Sequence, residues 1–263
     1  MILALDIGNT NITIGCYNGD RLKFISRMAS DSSRMEDQYA IELRDILDIN
    51  GVYAQEIEGS IISSVVPPLT TYIRRAVVKI TKTHPLLVGP GIKTGLDIRI
   101  DNPASLGADF VAGCVAALDR YPCPSIIIDM GTATTFAVLD AQKAMVGGCI
   151  MPGVRISLEA LCGRTAQLPQ ISLEAPRRVI GKNTTDCMAS GSVLGAAAMI
   201  DGMCSQIEAE LEASCTVIAT GGLAHVVIPH CTREIFLDEN LLLDGLRMLY
   251  QRNQEKKAPF DPV

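Results

Sequence analysis

The chain has 263 residues, of which 48% are hydrophobic and 20% are charged, and its formal net charge at pH 7 is -6. The apolar content excludes a disordered chain, and the acidic balance argues against nucleic-acid binding through a broad basic face. The length suits one large domain or two smaller ones.

The predicted elements of the first half alternate between strands and helices. The turn signal NGD at 18–20 separates two strands of a predicted hairpin. Apolar residues at helical spacing, including Ile41, Leu43 and Leu47, predict a helix that is followed by Gly51. In chain order we predict strands at 2–8, 11–17 and 21–27, a helix at 35–50, a strand at 58–66 that Pro67 and Pro68 stop, a helix at 69–81, a strand at 85–90 and a helix at 107–121 that ends before Pro122.

The second half begins with a buried strand that enters an Asp-x-Gly turn, passes through small polar residues and returns as a strand. A long Ala/Gly-rich helical region follows at 187–211, and then a strand runs into Gly221 and Gly222. An amphipathic helix at 238–253 closes the predicted fold, and we expect the polar tail beyond it to fray. The alternation of strands and helices predicts an α/β protein whose sheets are covered by helices.

We predict neither a membrane span nor a secretory signal. No apolar run reaches the ~18–20 residues of a spanning helix, and the N-terminus lacks a basic region and a small-residue cleavage site. The nine cysteines are irregularly spaced and contain no Cys-x-x-Cys pair, so we expect buried, reduced thiols in a cytoplasmic protein. The three histidines show no metal-ligand spacing.

A short segment near the N-terminus recurs near the middle of the chain. DIGNTNITI, from Asp6, and DMGTATTFA, from Asp129, both read Asp, apolar, Gly and then a run of mainly small polar residues. Two related domains that open with the same hairpin would explain the repeat. The alternative is a coincidence of two Asp-x-Gly turns, which are common.

The residues of these two hairpin tips suit phosphate binding. Glycine lets backbone amides approach a phosphate closely, and Thr10, Asn11 and Thr132 offer side-chain donors. A carboxylate beside a polyphosphate would repel it unless a cation lies between them, so Asp6 and Asp129 imply bound Mg²⁺ or another cation. The alternative for each hairpin is an ordinary turn in which the Asp side chain bonds its own backbone.

Two further segments carry candidate functional residues. Asp109 lies in the first turn of a predicted helix, where an ionised carboxylate is favoured and could accept a proton from a substrate hydroxyl. Gly221 and Gly222 end a buried strand, where the bare backbone would let a base or a ribose lie against it. A helix acid with no catalytic role and an ordinary strand-to-helix turn are the alternatives.

Segments throughout the chain resemble type III pantothenate kinases. The resemblance extends from residue 1 to about residue 253 and therefore covers nearly the whole sequence. The matching segments, in order, include DIGNTN, SSVVPPLT, VGPGIKTGLDIRIDNP, GAD, DMGTATTF, LPQI, GKNTTD, ATGGLA and LDGLRMLYQRN.

The resemblance implies an α/β fold of two related actin-like (ribonuclease H-like) domains, at 1–120 and 121–263, with a nucleotide cleft between them. It implies ATP-dependent phosphorylation of the primary hydroxyl of pantothenate, which is the first step of coenzyme A synthesis. Mg²⁺ and a monovalent cation, K⁺ or NH₄⁺, are the implied cofactors beside ATP. We expect a cytoplasmic homodimer with no nucleic-acid or membrane partner.

The resemblance also implies roles for individual residues. Asp109 is the expected catalytic base, Asp129 the expected monovalent-cation site, and Asp6 a ligand of Mg²⁺, directly or through water. Thr184 matches a substrate-binding residue that family dimers place near the partner's site. The expected ATP-binding residues are Asp6, Ile7, Gly8, Asn9, Thr10, Asn11, Ile12, Thr13, Thr132, Gly221 and Gly222, and the expected substrate-binding residues are Ile100, Gly107, Ala108, Asp109, Phe110 and Thr184.

Two positions depart from the family pattern. Many members carry Arg after Gly-Ala-Asp, where this chain has Phe110, and Tyr shortly before the Asn-Pro pair, where it has Ile100. Both changes fall near the expected substrate pocket and leave the ATP-binding residues untouched. The alternative functions are therefore a non-catalytic regulatory relative and a phosphotransferase that acts on another hydroxy acid.

Overall fold

The computed structural model describes residues 1–254, which form two compact units. The first unit contains residues 1–95, 102–116 and 241–254, and the second contains residues 96–101 and 117–240. The polar tail that we expect to fray lies outside the described residues, apart from Gln254.

Both units combine strands with helices. The strands are β1 (Ile2–Ile7), β2 (Asn11–Asn18), β3 (Arg21–Ala29), β4 (Gly59–Ser64), β5 (Leu86–Leu87), β6 (Asp97–Ile98), β7 (Ser125–Met130), β8 (Ala133–Leu139), β9 (Ala144–Pro152), β10 (Thr216–Thr220) and β11 (Phe236–Leu237). The helices are α1 (Glu36–Ile49), α2 (Pro67–Thr81), α3 (Ala108–Arg120), α4 (Val154–Gly163), α5 (Thr184–Leu211), α6 (Ala224–Val227) and α7 (Leu241–Gln254).

The first sheet has the strand order β3-β2-β1-β4-β5. Strands β1, β2 and β3 pair antiparallel in sequence order because tight turns reverse the chain after β1 and after β2. After α1 the chain returns as β4, which pairs parallel with β1, and β5 in turn pairs parallel with β4. This arrangement places Asp6 of β1 opposite Thr13 of β2 and Ser63 of β4.

The second sheet has the order β6-β9-β8-β7-β10-β11. Strands β7, β8 and β9 pair antiparallel, whereas β10 pairs parallel with β7 and β11 parallel with β10. Apart from the added β6, this is the same order and the same pattern of directions as in the first sheet. Asp129 of β7 accordingly lies opposite Thr135 of β8 and Thr220 of β10. The repeated topology confirms the predicted α/β fold built from two related parts.

Each sheet packs its own hydrophobic core. In β1 every second residue, Leu3, Leu5 and Ile7, is fully buried in a cluster that also contains residues of α1 and α2. In the second unit Ile126 and Ile128 of β7 belong to a cluster with residues of α5. Full burial of one such aliphatic side chain contributes roughly 1.5–3 kcal/mol.

Helix α1 confirms the predicted helix but not all of its predicted buried face. Leu43 and Leu47 are buried as expected, together with Tyr39 and Ala40. Ile41, in contrast, is 53% exposed, so its assignment to the core side is wrong. The reason is geometric, because a residue two positions after Tyr39 points to the opposite side of a helix.

The C-terminal helix α7 belongs to the first unit, whereas the predicted division at residue 120 assigns it to the second. Tyr17 of β2 donates a hydrogen bond to the buried carboxyl of Asp244 in α7 at 2.9 Å. Gly245 lies so close to the backbone of Ala112 in α3 that any Cβ would collide with it. These contacts join residues that are far apart in the sequence. The structure also contains β6, β9, β11 and α4, which we do not predict as separate elements.

Within residues 1–254, one helix, α5, is long and apolar enough by length and composition to cross a membrane, contrary to the prediction that no segment would be. A core helix of a soluble protein passes the same test, so the finding is weak evidence of a span. Val193, Ala197 and Ile200 on its buried side lie in the interior of the second unit.

All nine cysteines are free thiols, although they are not all buried as expected. Cys114 is buried, Cys149 is half-buried and Cys187 is exposed. Burial raises the pKa of Cys204 to about 12 and that of Cys231 to about 11, so these two thiols stay protonated at neutral pH.

Candidate active-site residues

The tip of the first hairpin exposes a short run of polar residues between two buried isoleucines. Asn9, Thr10 and Asn11 are exposed, and the amide of Gly8 donates to the carbonyl of Asn11 at 3.0 Å to close the turn. The side chains of Ile7 and Ile12 are 0% exposed. Of the expected ATP-binding residues here, these two isoleucines could therefore reach a ligand only through their backbone.

Asp6 lies just below this tip and is the most strongly perturbed carboxyl of the first unit. Its pKa is raised to about 6, chiefly because burial disfavours the charged form and also because the carboxyl of Asp109 is nearby. The hydroxyl of Ser63 opposes both effects because it is close enough to favour the ionised form. That hydroxyl is buried and makes no hydrogen bond of regular geometry with any described residue.

Asp109 lies in the first turn of α3, as predicted, and its carboxyl is fixed by the local backbone. Its Oδ1 accepts a hydrogen bond from the Phe110 amide at 2.8 Å. Burial raises the pKa of Asp109, and the amide hydrogen bonds lower it by a smaller amount. Gly107 leaves room for this position of the carboxyl, because a Cβ there would collide with Oδ1 of Asp109. The first unit thus brings together Asp6, Ser63 and Asp109.

The tip of the second hairpin is also closed by a glycine amide, but its turn is one residue shorter than that of the first. The amide of Gly131 donates to the carbonyl of Ala133 at 3.0 Å, and Thr132 is half-buried at the tip. The Gly153 amide donates to the carbonyl of Thr132 at 3.1 Å and thereby supports the turn. Gly153 packs so tightly there that a Cβ would collide with the backbone of residues 131 and 132.

Gly221 brings the end of β10 against Asp129. It has φ of +94°, and a Cβ at this position would collide with Oδ1 of Asp129 and with the Met130 backbone. Gly222, in contrast, is exposed and faces open space. The second unit therefore places Asp129, Gly221 and the Thr132 tip at the same end of two adjacent parallel strands.

The remaining expected substrate residues lie in α3, at the start of α5 and after β6. Ala108 is buried and Phe110 is half-buried, both in the first turn of α3. Thr184 is exposed as the first residue of α5, after the N-cap Asn183, whose side chain accepts a hydrogen bond from the Asp186 amide at 2.9 Å. Ile100 is half-buried two residues after β6.

Sequence reasoning missed Ser63, although its segment carries part of the resemblance. SSVVPPLT contains it, but a serine in a buried strand gives no sign of its partner. The partner becomes evident only from the parallel register of β1 and β4, which sets Ser63 opposite Asp6. That register is a tertiary feature and cannot be obtained from periodicity alone.

The surroundings of Asp6 fit a bound Mg²⁺. No basic side chain contributes to its pKa, and the orphaned hydroxyl of Ser63 lies beside it. Among residues 1–254 no three His, Cys, Asp or Glu side chains are grouped to hold a metal. Asp6 would thus belong to a site with few carboxylates, which suits Mg²⁺ bound mainly by water and substrate phosphates.

These features define a fold, that of the actin-like ATPases and sugar kinases. Solved structures with this fold include the (R)-2-hydroxyglutaryl-CoA dehydratase component A of Acidaminococcus fermentans, with a TM-score of 0.59, 13% identity and coverage of 97% of this chain and 99% of that one. A Campylobacter jejuni protein assigned to the Baf family of transcriptional activators gives a TM-score of 0.60 at 19% identity, covering 96% and 99%. At these identities the likeness shows the fold alone.

The sequence comparisons are more specific. The family model of type III pantothenate kinase matches residues 2–206, and the chain belongs to this family. A type III pantothenate kinase of Exiguobacterium sp. is 43% identical over 255 residues, which cover 97% of this chain and the whole of the relative. The corresponding protein of Geobacillus kaustophilus is 43% identical over 258 residues, covering 98% and 100%. The family is one of kinases that phosphorylate pantothenate with ATP in coenzyme A biosynthesis.

Proposed function

We propose that this chain transfers the γ-phosphoryl group of ATP to the primary hydroxyl of pantothenate. The observation that carries the proposal is the proximity of Asp109 to Asp6 in a chain of this family. One of these carboxyls would meet the reacting hydroxyl and the other the cation that accompanies ATP. The hairpin tip of each of the two related units, which correspond to actin-like domains, is a proposed phosphate-binding element.

Asp109 acts in this proposal as the general base. The pantothenate hydroxyl oxygen attacks the γ-phosphorus, the bond from that phosphorus to the β-γ bridging oxygen breaks, and ADP leaves. The proton of the hydroxyl passes to the Asp109 carboxylate. Because Oδ1 is held by the Phe110 amide, Oδ2 is the oxygen available to accept that proton.

The hairpins supply the phosphate contacts. The polar tips at residues 8–11 and 131–133, together with Thr13, would bind the phosphates through amides and side chains, while Gly221 and Gly222 would lie on the adenosine side. Bound Mg²⁺ at Asp6 would neutralise phosphate charge and polarise the transferred group. Asp129, which the end of β10 approaches closely at Gly221, would hold a monovalent cation, K⁺ or NH₄⁺.

Pantothenate would contact the segment around α3 and the first turn of α5. Gly107, Ala108 and Phe110 surround the proposed base, so they are the proposed substrate contacts of the first unit. Ile100 and Thr184 are the proposed contacts from residues of the second unit. Phe110 and Ile100 present apolar side chains where many relatives carry Arg and Tyr, and they would replace polar substrate contacts with apolar ones.

We further propose that the protein is a cytoplasmic homodimer. A groove with a volume of about 500 Å³ is lined by residues of α4 and α5, including Leu161, Met188 and Thr184. Nearby residues expose large apolar side chains, with Ile150 72% exposed and Ile180 81% exposed. A second copy of the chain that covered this surface would bury apolar area and bring Thr184 to the interface.

The experiment is a coupled assay of ADP release by the purified protein with ATP, Mg²⁺ and K⁺, with and without pantothenate. We expect pantothenate-dependent release, 4'-phosphopantothenate by mass spectrometry, and lower activity when Na⁺ replaces K⁺. Transfer to another hydroxy acid but not to pantothenate would support the alternative phosphotransferase. Absence of transfer to any acceptor would support a regulatory relative instead.

A further inference from the structure

Ser30 makes two hydrogen bonds to the tip of the first hairpin. It follows β3 directly and is half-buried beside the turn between β1 and β2. Its hydroxyl donates to the carbonyl of Gly8 at 2.6 Å, and its amide donates to the carbonyl of Thr10 at 3.0 Å. One residue thus holds two carbonyl groups of the same three-residue turn.

The direction of these carbonyls decides whether the turn can bind an anion. A carbonyl oxygen that faced a phosphate would repel it, whereas an amide that faced it would donate a hydrogen bond. In a trans peptide the C=O of one residue and the N–H of the next point in opposite directions. Holding the Gly8 carbonyl towards Ser30 therefore turns the Asn9 amide away from Ser30. Among the described residues, the Asn9 amide makes none of the backbone hydrogen bonds that lie outside helices and strands.

The Gly8 amide cannot serve instead, since it donates to the Asn11 carbonyl within the turn. Asn9 is exposed, so its amide can reach a ligand. We propose that Ser30 is a positioning residue for nucleotide binding, and that its hydroxyl orients the Asn9 amide towards the β- or γ-phosphate. This inference rests on the proposed ATP-dependent function. Ser30 itself does not touch the nucleotide.

The test is direct binding of the non-hydrolysable analogue AMP-PNP with Mg²⁺, and of AMP, without pantothenate. Ser30→Ala removes the bond to Gly8 but keeps the amide bond to Thr10, so the turn should be retained. We expect the dissociation constant of AMP-PNP to rise about 3- to 10-fold, as for loss of one hydrogen bond. The dissociation constant of AMP, which lacks the β- and γ-phosphates, should stay within about 2-fold of the wild-type value.

Two further variants separate positioning from general damage. Ser30→Thr restores a hydroxyl and should recover tight AMP-PNP binding. Ser33→Ala is the matched control, because it removes a hydroxyl of the same segment that donates only to Asp31, at 2.6 Å. Both nucleotides should bind this control as they bind wild type.

The inference would be overturned if Ser30→Ala weakened the binding of AMP and of AMP-PNP equally, or if it left AMP-PNP binding unchanged. The outcome is independent of the acceptor. If the wild type binds AMP-PNP through Ser30 but does not phosphorylate pantothenate, the proposed function fails and the role of Ser30 stands. If the wild type phosphorylates pantothenate and Ser30→Ala leaves the KM for ATP unchanged, only the role of Ser30 fails.

Discussion

The carboxyl of Asp6 lies where burial raises its pKa from 3.8 to about 6. At pH 7.5 it is ionised in both the folded and the unfolded chain, and folding must then desolvate the charge. A raised folded pKa means that stability is greatest below the unfolded pKa and is lost as the pH rises through the folded value. In the absence of a cation, Asp6 therefore destabilises the fold at neutral pH.

Asp6→Asn should consequently stabilise the protein while abolishing the proposed activity. Without Mg²⁺ or nucleotide, the free energy of unfolding at pH 7.5 should increase by ~1–2 kcal/mol, less than full desolvation would give because the residue keeps some exposure. This increase in the free energy of unfolding should be absent below about pH 4 and should develop as the pH rises from about 4 to about 6. Denaturant unfolding at several pH values measures it, and a loss of stability at pH 7.5 would contradict the electrostatic account.

Asp109 should determine the acid side of the pH profile of kcat/KM for pantothenate. A base must be ionised to accept a proton, so the rate falls as the pH drops through its pKa. Because burial raises that pKa, the fall should begin above the usual aspartate value of 3.8. The measurement needs saturating Mg²⁺ and ATP, so that Asp6 stays ionised.

The Asp109→Asn variant provides the matching test of the role itself. Its turnover should drop ~10²-fold or more, because base catalysis typically contributes that much. Its affinity for AMP-PNP should stay close to that of wild type, which controls for misfolding. Near-normal turnover of this variant would exclude Asp109 as the base.

At the scale of single elements, the end of β10 depends on one glycine and not on its neighbour. Gly221 has φ of +94° and lies against Asp129 and Met130, whereas Gly222 faces open space. Gly221→Ala should lower the free energy of unfolding by ~2 kcal/mol or more, through backbone strain and collision together. Gly222→Ala should change it by less than about 0.5 kcal/mol. Thermal unfolding of the two variants compares them directly, and equal melting temperatures would contradict the close approach to Asp129.

Local sequence patterns predict the elements whose residues carry their own signal. The two Asp-x-Gly hairpins are foreseen because small polar residues interrupt β-branched strands at equivalent places. Helix α4 is missed, since its first turn, Val154 to Ser157, follows a Pro-Gly pair that reads as a loop. The pairing of Ser63 with Asp6, and of Ser30 with Gly8, depends on strand register and on a chain reversal. These are long-range features that no local pattern contains.

At the scale of the molecule, the same five-strand order occurs in both units, yet their surfaces differ. In the second unit the segment before α5 is attached to that helix: the Ser190 hydroxyl donates to the Val179 carbonyl at 2.6 Å, and Gly181 packs against the backbone of Cys187. This attachment holds Val179 and Ile180 in place although they are 73% and 81% exposed. Large apolar side chains held in water are typical of a surface that another chain covers.

If that chain is a second copy, Ile180→Asp should separate the dimer. A charge placed in an apolar interface is left unpaired and desolvated, so the variant should be a monomer by light scattering at a concentration where wild type is a dimer. Because Thr184 lies four residues after Ile180, the KM of the Ile180→Asp variant for pantothenate should also rise. Its affinity for nucleotide should not change. Ile49→Asp is the matched control, since Ile49 is 83% exposed on α1 of the first unit. A wild type that is monomeric, or a dimer that both substitutions disrupt equally, would exclude this surface as the specific interface.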